Sequence, residues 1–418
     1  MFRFSKNVFF LMAVIFAGGS VSVFSQNAKK PYVVMVSFDG FRHDYVEKYQ
    51  PENIRKFIKK GAAATRMLPS YPSKTFPNHY TLVTGLYPEH HGLVDNSFYD
   101  AGRDAHYTIR QRDKVEDSYY YGGQPLWQLV QQHGMKAASF FWVGSEAPVG
   151  GQYPSYFHKY DGAVPYKNRI QAVFDWLNLP EAQRPHLITV YFDMVDTKGH
   201  EYGPNAPETK AAVMQADSLV GLLMNGLKKI KLPVDVILTA DHGMYEMKNQ
   251  PETFIYTEDL LEGFDKNDFV FVNSGTHAGI FLKNKGIEDA IIRSIGARQK
   301  HFKVYKRADM PPHLHFNNHL RIGDIMLLAE PGYGFYSKES LTKRPEVRKV
   351  WGVHGYDPQA VPEMGTIFYA QGPHIKKGME IPEFKNIHVY PFIVTLLGIP
   401  MPADIDGDAT VLQAIIKK

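Results

Sequence analysis

Five short apolar runs are spaced along the 418-residue chain. They lie at 32–38 (YVVMVSF), 187–192 (LITVYF), 234–240 (VDVILTA), 278–282 (AGIFL) and 366–370 (TIFYA). Unbroken apolar, β-branched runs of this length suit parallel strands covered on both faces. Helical patterns fall between them, at 52–60, 75–84, 125–133, 168–177, 207–229 and 389–397. Strand and helix alternating through the chain predict an α/β fold, a three-layer α/β/α sandwich. No internal repeat or clean linker interrupts it. The stretch 296–346 is rich in His, Pro and Lys and less regular. It predicts a small inserted subdomain. The length is ample for a large core, since roughly 70–75% of the unfolded surface is buried at this size.

In such folds the reactive groups collect on loops beyond the carboxyl ends of the strands. The first run leads into Asp39-Gly40, and the second is followed by Asp196 and His200. The third ends in Asp241-His242, and a later loop, WGVHGYD, adds His354. Taken singly, an Asp at a strand end is usually a cap or turn residue, and a lone His is usually structural. Recurrence at successive strand ends carries the argument.

The chain has no cysteine and 18 histidines. Disulfides, iron–sulfur clusters, thiolate zinc sites and cysteine nucleophiles are therefore excluded. Three carboxylates (Asp39, Asp196, Asp241) and three imidazoles (His200, His242, His354) form a donor set suited to two zinc ions. Two metals about 4 Å apart can clamp the attacking and leaving oxygens of a phosphoryl displacement. The segment 69–80 (PSYPSKTFPNHY) offers Ser73 or Thr75 as a nucleophile at a helix start. Such an end presents free N–H groups to an anion.

At the N-terminus, Arg3 and Lys6 precede an apolar run at 8–17, then Gly18, Gly19 and small residues. This is the pattern of a signal peptide over 1–25, and it predicts a periplasmic or secreted protein; the alternative is an N-terminal membrane anchor, for which an apolar run of ten is short against the ~20 residues that span a bilayer. Taking Arg3 and Lys6 from the formal net charge of +4 leaves +2. A chain so near neutrality gives no reason to expect a polymeric nucleic acid as partner.

Read as an ordered set, VSFDGFR, PSKTFPNHYTLVTGLYPEHHGLVDN, FFWVGSE, YDGAVPY, YFDMVDTKGHEYGP, TADHGM and VHGYD resemble the nucleotide pyrophosphatase/phosphodiesterase family of the alkaline phosphatase superfamily. The match runs from about residue 32 to about 400, in family order. It implies an alkaline-phosphatase-like fold, a catalytic domain over 31–418 and two Zn2+ ions. One ion would sit on Asp39, Thr75, Asp241 and His242, and the other on Asp196, His200 and His354. Thr75 would be the nucleophile, and Asn96 would bind a nonbridging phosphate oxygen. Phe76, Tyr160 and Tyr191 match positions that hold the nucleoside, and Trp142 lies near the family's base pocket. Val195 stands where the family often has proline. The resemblance is to a compact, bacterial-like form without the Cys-rich and nuclease-like modules of large animal members.

The implied activity is hydrolysis of a nucleotide phosphodiester or pyrophosphate bond through a phosphothreonine intermediate. A phospholipid-headgroup (choline) phosphodiesterase and a phosphomonoesterase share the metal set and stay open. A non-catalytic metal-binding protein is the alternative of another class. A sulfatase is excluded, because no C/S-x-P-x-R motif surrounds Thr75.

Overall fold

The computed structural model describes residues 31–342 and 348–417. The residues read as a signal peptide lie outside them. Eight strands form one sheet in the order Met379–Ile381, Ala62–Ala64, Phe368–Gln371, Val234–Thr239, Tyr32–Phe38, Pro185–Phe192, Lys136–Phe140, Tyr156–His158. Among the described residues, only Phe368–Gln371 opposes the other seven.

The alternation of side chains along a strand explains why the central runs are continuously apolar. Along Tyr32–Phe38, Val33 and Met35 enter one core, while Val34, Val36 and Phe38 enter the other. Helices Glu52–Lys59, Tyr166–Leu177 and Pro207–Leu227 cover the second face through Ile54, Phe57, Val173, Trp176, Val213 and Leu223. Helices Thr75–Thr84, Leu126–Gln132 and Val389–Leu397 cover the first through Leu82, Val83, Leu129, Phe392 and Leu396. The result is the predicted three-layer α/β/α sandwich.

Two of the five runs sit otherwise than expected. The run at 366–370 is an antiparallel strand, Phe368–Gln371. A continuous apolar run reports burial on both faces, which a central strand has in either direction. The run at 278–282 belongs to a second sheet, in which Phe269–Asn273, His277–Leu282, Ile325–Ala329 and Phe302–Lys306 pair antiparallel. Its two-sided burial has two sources. Ile280 and Leu282 pack with Ile291 and Ile295 of helix Glu288–Ala297, while the neighbouring Phe281 meets Tyr99 edge-on at 5.2 Å. This sheet begins well before residue 296, so the separately built region starts earlier than composition alone suggested. A buried Arg321–Asp100 ion pair at 2.8 Å and a buried His277–Asp95 hydrogen bond at 2.7 Å fasten it to the segment preceding Leu126.

Candidate active site

The side chains proposed as reactive gather at one rim of the large sheet. Asp39 follows the last residue of Tyr32–Phe38, and its N–H donates to the Phe192 carbonyl at 2.8 Å. The chain turns at once through Gly40, at φ 69. That left-handed turn suits glycine, and a Cβ there would press on the Asp196 backbone. Asp196 enters from the next strand, its N–H donating to the Asp39 carbonyl at 3.0 Å. It lies in the first turn of helix Met194–Tyr202, and His200 follows one turn later on the same face. Asp241 and His242 follow strand Val234–Thr239, and His354 follows strand Val350–Val353.

Three carboxylate oxygens converge here without a hydrogen-bond partner: Asp39 Oδ1, Asp196 Oδ1 and Asp241 Oδ2. His242 Nε2 stands 3.0 Å from Asp241 Oδ2 and 3.5 Å from Asp39 Oδ1. His200 Nε2 stands 3.3 Å from Asp196 Oδ1 and 3.1 Å from His354 Nε2. His354 Nε2 is 3.8 Å from Asp196 Oδ1. By distance, His242 joins both Asp39 with Asp241 and Asp196 with His354.

The tautomers follow from the opposite ring nitrogens. His200 Nδ1 faces the Gly352 carbonyl at 2.8 Å, His242 Nδ1 that of Gly243 at 2.9 Å, and His354 Nδ1 that of Ser73 at 2.7 Å. A carbonyl only accepts, so each Nδ1 carries the proton and each Nε2 presents a lone pair inward. Lone pairs facing carboxylates and one another repel unless a cation lies between them. The site's acidity agrees. Burial, with Asp241 and Asp196 nearby, pushes the Asp39 carboxyl well above its ordinary range. Burial and Asp196 push Asp241 up to about 8. A group of this kind, buried except toward His200, fits a divalent metal, and its nitrogen and oxygen donors suit zinc.

Thr75 opens the ten-residue helix Thr75–Thr84, and its Oγ1 is 3.2 Å from His242 Nε2. Ser73, the other candidate, is fully buried and donates to the Tyr356 carbonyl. The structure therefore brings Thr75, and not Ser73, to this group of carboxylates and imidazoles. Asn96 Oδ1 accepts the Phe76 N–H at 2.8 Å, which turns its NH2 end away from that backbone. Tyr191 donates to Asp39 Oδ2 at 2.6 Å, and Tyr160 stands edge-on to it at 6.3 Å, 42% exposed. Phe76 is partly buried against the core. Trp142 is placed differently. It is fully buried, and its indole N–H donates to the His79 carbonyl at 2.9 Å. It therefore braces the Thr75–Thr84 helix from within.

Sequence reasoning passed over His79 and Asn78. His79 Nδ1 lies 3.0 Å from the Thr75 carbonyl and 3.4 Å from Asp241 Oδ2, with Nε2 2.8 Å from Ser37 Oγ. Asn78 spans the preceding loop, accepting from the Ser70 N–H and donating to the Pro72 and Lys74 carbonyls. Their only sequence signal was a place one turn beyond Thr75.

The family model described as "Type I phosphodiesterase / nucleotide pyrophosphatase" matches residues 33–357. The chain belongs to this family. It is 36% identical over 397 residues to "Venom phosphodiesterase CdcPDE" of Crotalus durissus collilineatus, covering 92% of this chain and 46% of that one. It is 35% identical over 403 residues to human "Ectonucleotide pyrophosphatase/phosphodiesterase family member 1", covering 93% and 42%. The chain thus spans less than half the length of these relatives. Human ectonucleotide pyrophosphatase/phosphodiesterase 5 superposes with a TM-score of 0.84 at 29% identity, over 93% of this chain and all of that one. An inactive threonine-to-alanine form of the mouse counterpart, in complex with AMP, superposes at 0.83 with 26% identity, over 93% of this chain and all of that one. The fold is thus the alkaline-phosphatase-like α/β sandwich of these proteins.

Proposed function

We propose that this chain is a zinc-dependent hydrolase of nucleotide phosphodiester and pyrophosphate bonds. Asp39, Asp241, His242 and Thr75 would hold one Zn2+, and Asp196, His200 and His354 the other. Bound there, the ions supply Lewis acidity and favour the ionised form of a hydroxyl. The chain's own groups set the geometry. Thr75 Oγ1 loses its proton to solvent and bonds to phosphorus while the opposite phosphorus–oxygen bond breaks. The Asn96 NH2 donates to charge growing on a nonbridging oxygen. Tyr160, Tyr191 and Phe76 flank the nucleoside. Water then cleaves the threonine ester and restores the hydroxyl proton. A nucleoside triphosphate gives a nucleoside monophosphate and pyrophosphate.

One observation carries this reading: three unpartnered carboxylate oxygens gather with three Nε2 atoms, and one of these, on His242, stands 3.2 Å from a hydroxyl at a helix N-terminus. The zinc-loaded Thr75→Ala variant, assayed on a nitrophenyl nucleotide diester, tests it. Turnover is expected to fall by at least about 10³-fold, and acid-quenched label on the protein should vanish. Turnover at the parent rate would refute the mechanism.

The reading extends to one catalytic domain over 31–418, exported through residues 1–25 to the periplasm or beyond. Among the described residues, no helix is long and apolar enough to cross a membrane. N-terminal sequencing of protein recovered from cell fractions tests this part.

A further inference from the structure

The large sheet has two rims. The reactive side chains stand at the carboxyl ends of its parallel strands. At the opposite rim Pro31 leads the chain into strand Tyr32–Phe38, whose seven residues, at roughly 3.3 Å each, set the two rims about 23 Å apart. Strand register brings segments 60–61, 133–135, 178–184, 228–233 and 372–378 to this entry rim, as in the pairs Ala370↔Ala62, Lys136↔Pro185, Tyr32↔Val234 and Gln371↔Val236. Segment 413–417 joins them: the Lys376 N–H donates to the Ile415 carbonyl and the Lys417 N–H to the His374 carbonyl, each at 2.8 Å.

The charge of these segments is one-sided. They hold eight Lys or Arg and one acid, Glu181. Lys228, Lys229 and Lys231 share one turn, and all three are exposed. Where lysines of this rim are engaged, the partners are neutral. Lys228 donates to the Asn225 side-chain oxygen at 2.9 Å, Lys376 to the Ala414 carbonyl and Lys417 to the Pro373 carbonyl, both at 2.7 Å. Asp235, just inside the rim, is fully buried and faces the His374 ring at 2.6 Å. Taking Arg3, Lys6, Lys29 and Lys30 from 47 Lys and Arg leaves 43 over residues 31–418, against 43 Asp and Glu. Residues 31–418 are thus neutral as a whole, and the rim's excess is a segregation of charge. Lys29 and Lys30 directly precede Pro31, and the apolar run 8–17 lies further upstream.

We infer that the entry rim is a docking surface for an anionic lipid bilayer. The inference does not depend on the phosphodiesterase reading. Cations spread over several separate connections suit an extended, flat partner, and each Lys or Arg near an anionic bilayer strengthens binding by about fivefold. The apolar N-terminal run, as export signal or as anchor, acts at a bilayer, and its segment joins the chain at this rim. Docked so, the reactive rim points away from the lipid. It lies beyond the ~10 Å over which the surface's negative charge acts through salt.

The test mixes the full chain with vesicles of phosphatidylcholine alone, or of equal parts phosphatidylcholine and phosphatidylglycerol, and reads binding by co-sedimentation. The parent should favour the anionic vesicles and release them as salt rises. Lys228→Gln/Lys229→Gln/Lys231→Gln should weaken that binding about 10²-fold, and Lys376→Gln/Lys377→Gln about tenfold or more. The matched control Lys266→Gln/Lys300→Gln/Lys303→Gln, exposed lysines in and beside the second sheet, should bind like the parent. Unchanged melting temperatures establish that the variants fold. Because the chain lacks cysteine, an environment-sensitive dye on Gln183→Cys at the rim, or on Lys300→Cys, reads orientation. Only the first should respond to anionic vesicles. Equal binding to both vesicles, unchanged binding in the rim variants, an equal loss in the control, or equal dye responses overturns the inference. So does a DNA duplex that binds more tightly than the vesicles and loses as much in the rim variants, since the surface would then serve nucleic acid.

Discussion

At the scale of the residue, function here depends on which end of a polar group is already engaged. Asn96 gives its oxygen to the Phe76 N–H, so its NH2 end faces away from that backbone, the end that the proposed mechanism uses. Asn96→Ala should lower kcat by about 10²–10³-fold, the cost of one oxyanion donor, with a smaller effect on KM, in steady-state kinetics on a nucleotide diester. Trp142 engages its N–H inside the protein, on the His79 carbonyl. Trp142→Phe keeps most of the volume but removes a buried hydrogen bond to a carbonyl that its own helix also engages, and should cost about 0.5–1.5 kcal/mol in urea unfolding. The candidate ligand residues were legible in the sequence because Asp39 and Asp241 closely follow apolar strands, a position that places them at the rim of the sheet. Trp142 was read as lying near a base because adjacency to a motif does not reveal which way a large ring points. His79 and Lys74 carried no pattern of their own. Their surroundings come from Asp241 and Gly355, which are remote in sequence.

At the scale of the element, the central strands and the helices were legible almost to the residue. Thr75–Thr84 and Val389–Leu397 fall where periodicity put them. Helix Met194–Tyr202, which carries two of the candidate ligands, Asp196 and His200, was not. It is short and polar and buries only Met194, Val195 and Gly199, so no apolar stripe announced it. The second sheet was also hidden, because a strand buried on both sides reads alike in a parallel or an antiparallel setting. Yet this sheet bears on the site. His277, first residue of strand His277–Leu282, holds Asp95, the neighbour of Asn96. Burial alone would raise the Asp95 carboxyl, but His277 holds it below its ordinary range. Removing the imidazole would take from a buried charge its strongest partner, leaving Lys74 and Ser274. His277→Ala should destabilise the protein by about 3–5 kcal/mol in denaturant unfolding. It should also lower kcat, since the loop bearing Asn96 loses its anchor. If stability and kcat both hold, the second sheet is a passive attachment.

At the scale of the whole molecule, the assembled site and the stability of the fold are one thermodynamic system. Asp39 and Asp241 are raised in the folded chain, Asp241 to about 8, whereas an unfolded aspartate is ionised above about 4. A carboxyl with a raised folded pKa favours the fold fully below the unfolded pKa and loses that contribution as pH climbs through the folded one. The buried histidines work in the other sense. Burial lowers His79 and His91 to about 3 and pushes His354 well below its ordinary range. They therefore cost stability as pH falls below about 6.5. Between pH 7 and 8 these imidazoles are largely neutral in both states, and the raised carboxyls set the downward slope. Metal-stripped protein should therefore melt at a lower temperature at pH 8 than at pH 7, by at most ~1.4 kcal/mol per proton bound. Zinc reverses the sign, because binding expels those protons and each ligand must be deprotonated to coordinate. The stabilisation on adding Zn2+ should thus be larger at pH 8 than at pH 7, read as the shift in melting temperature at fixed free metal. A gain from zinc that is equal at both pH values would mean that the raised carboxyls are not the groups that hold it.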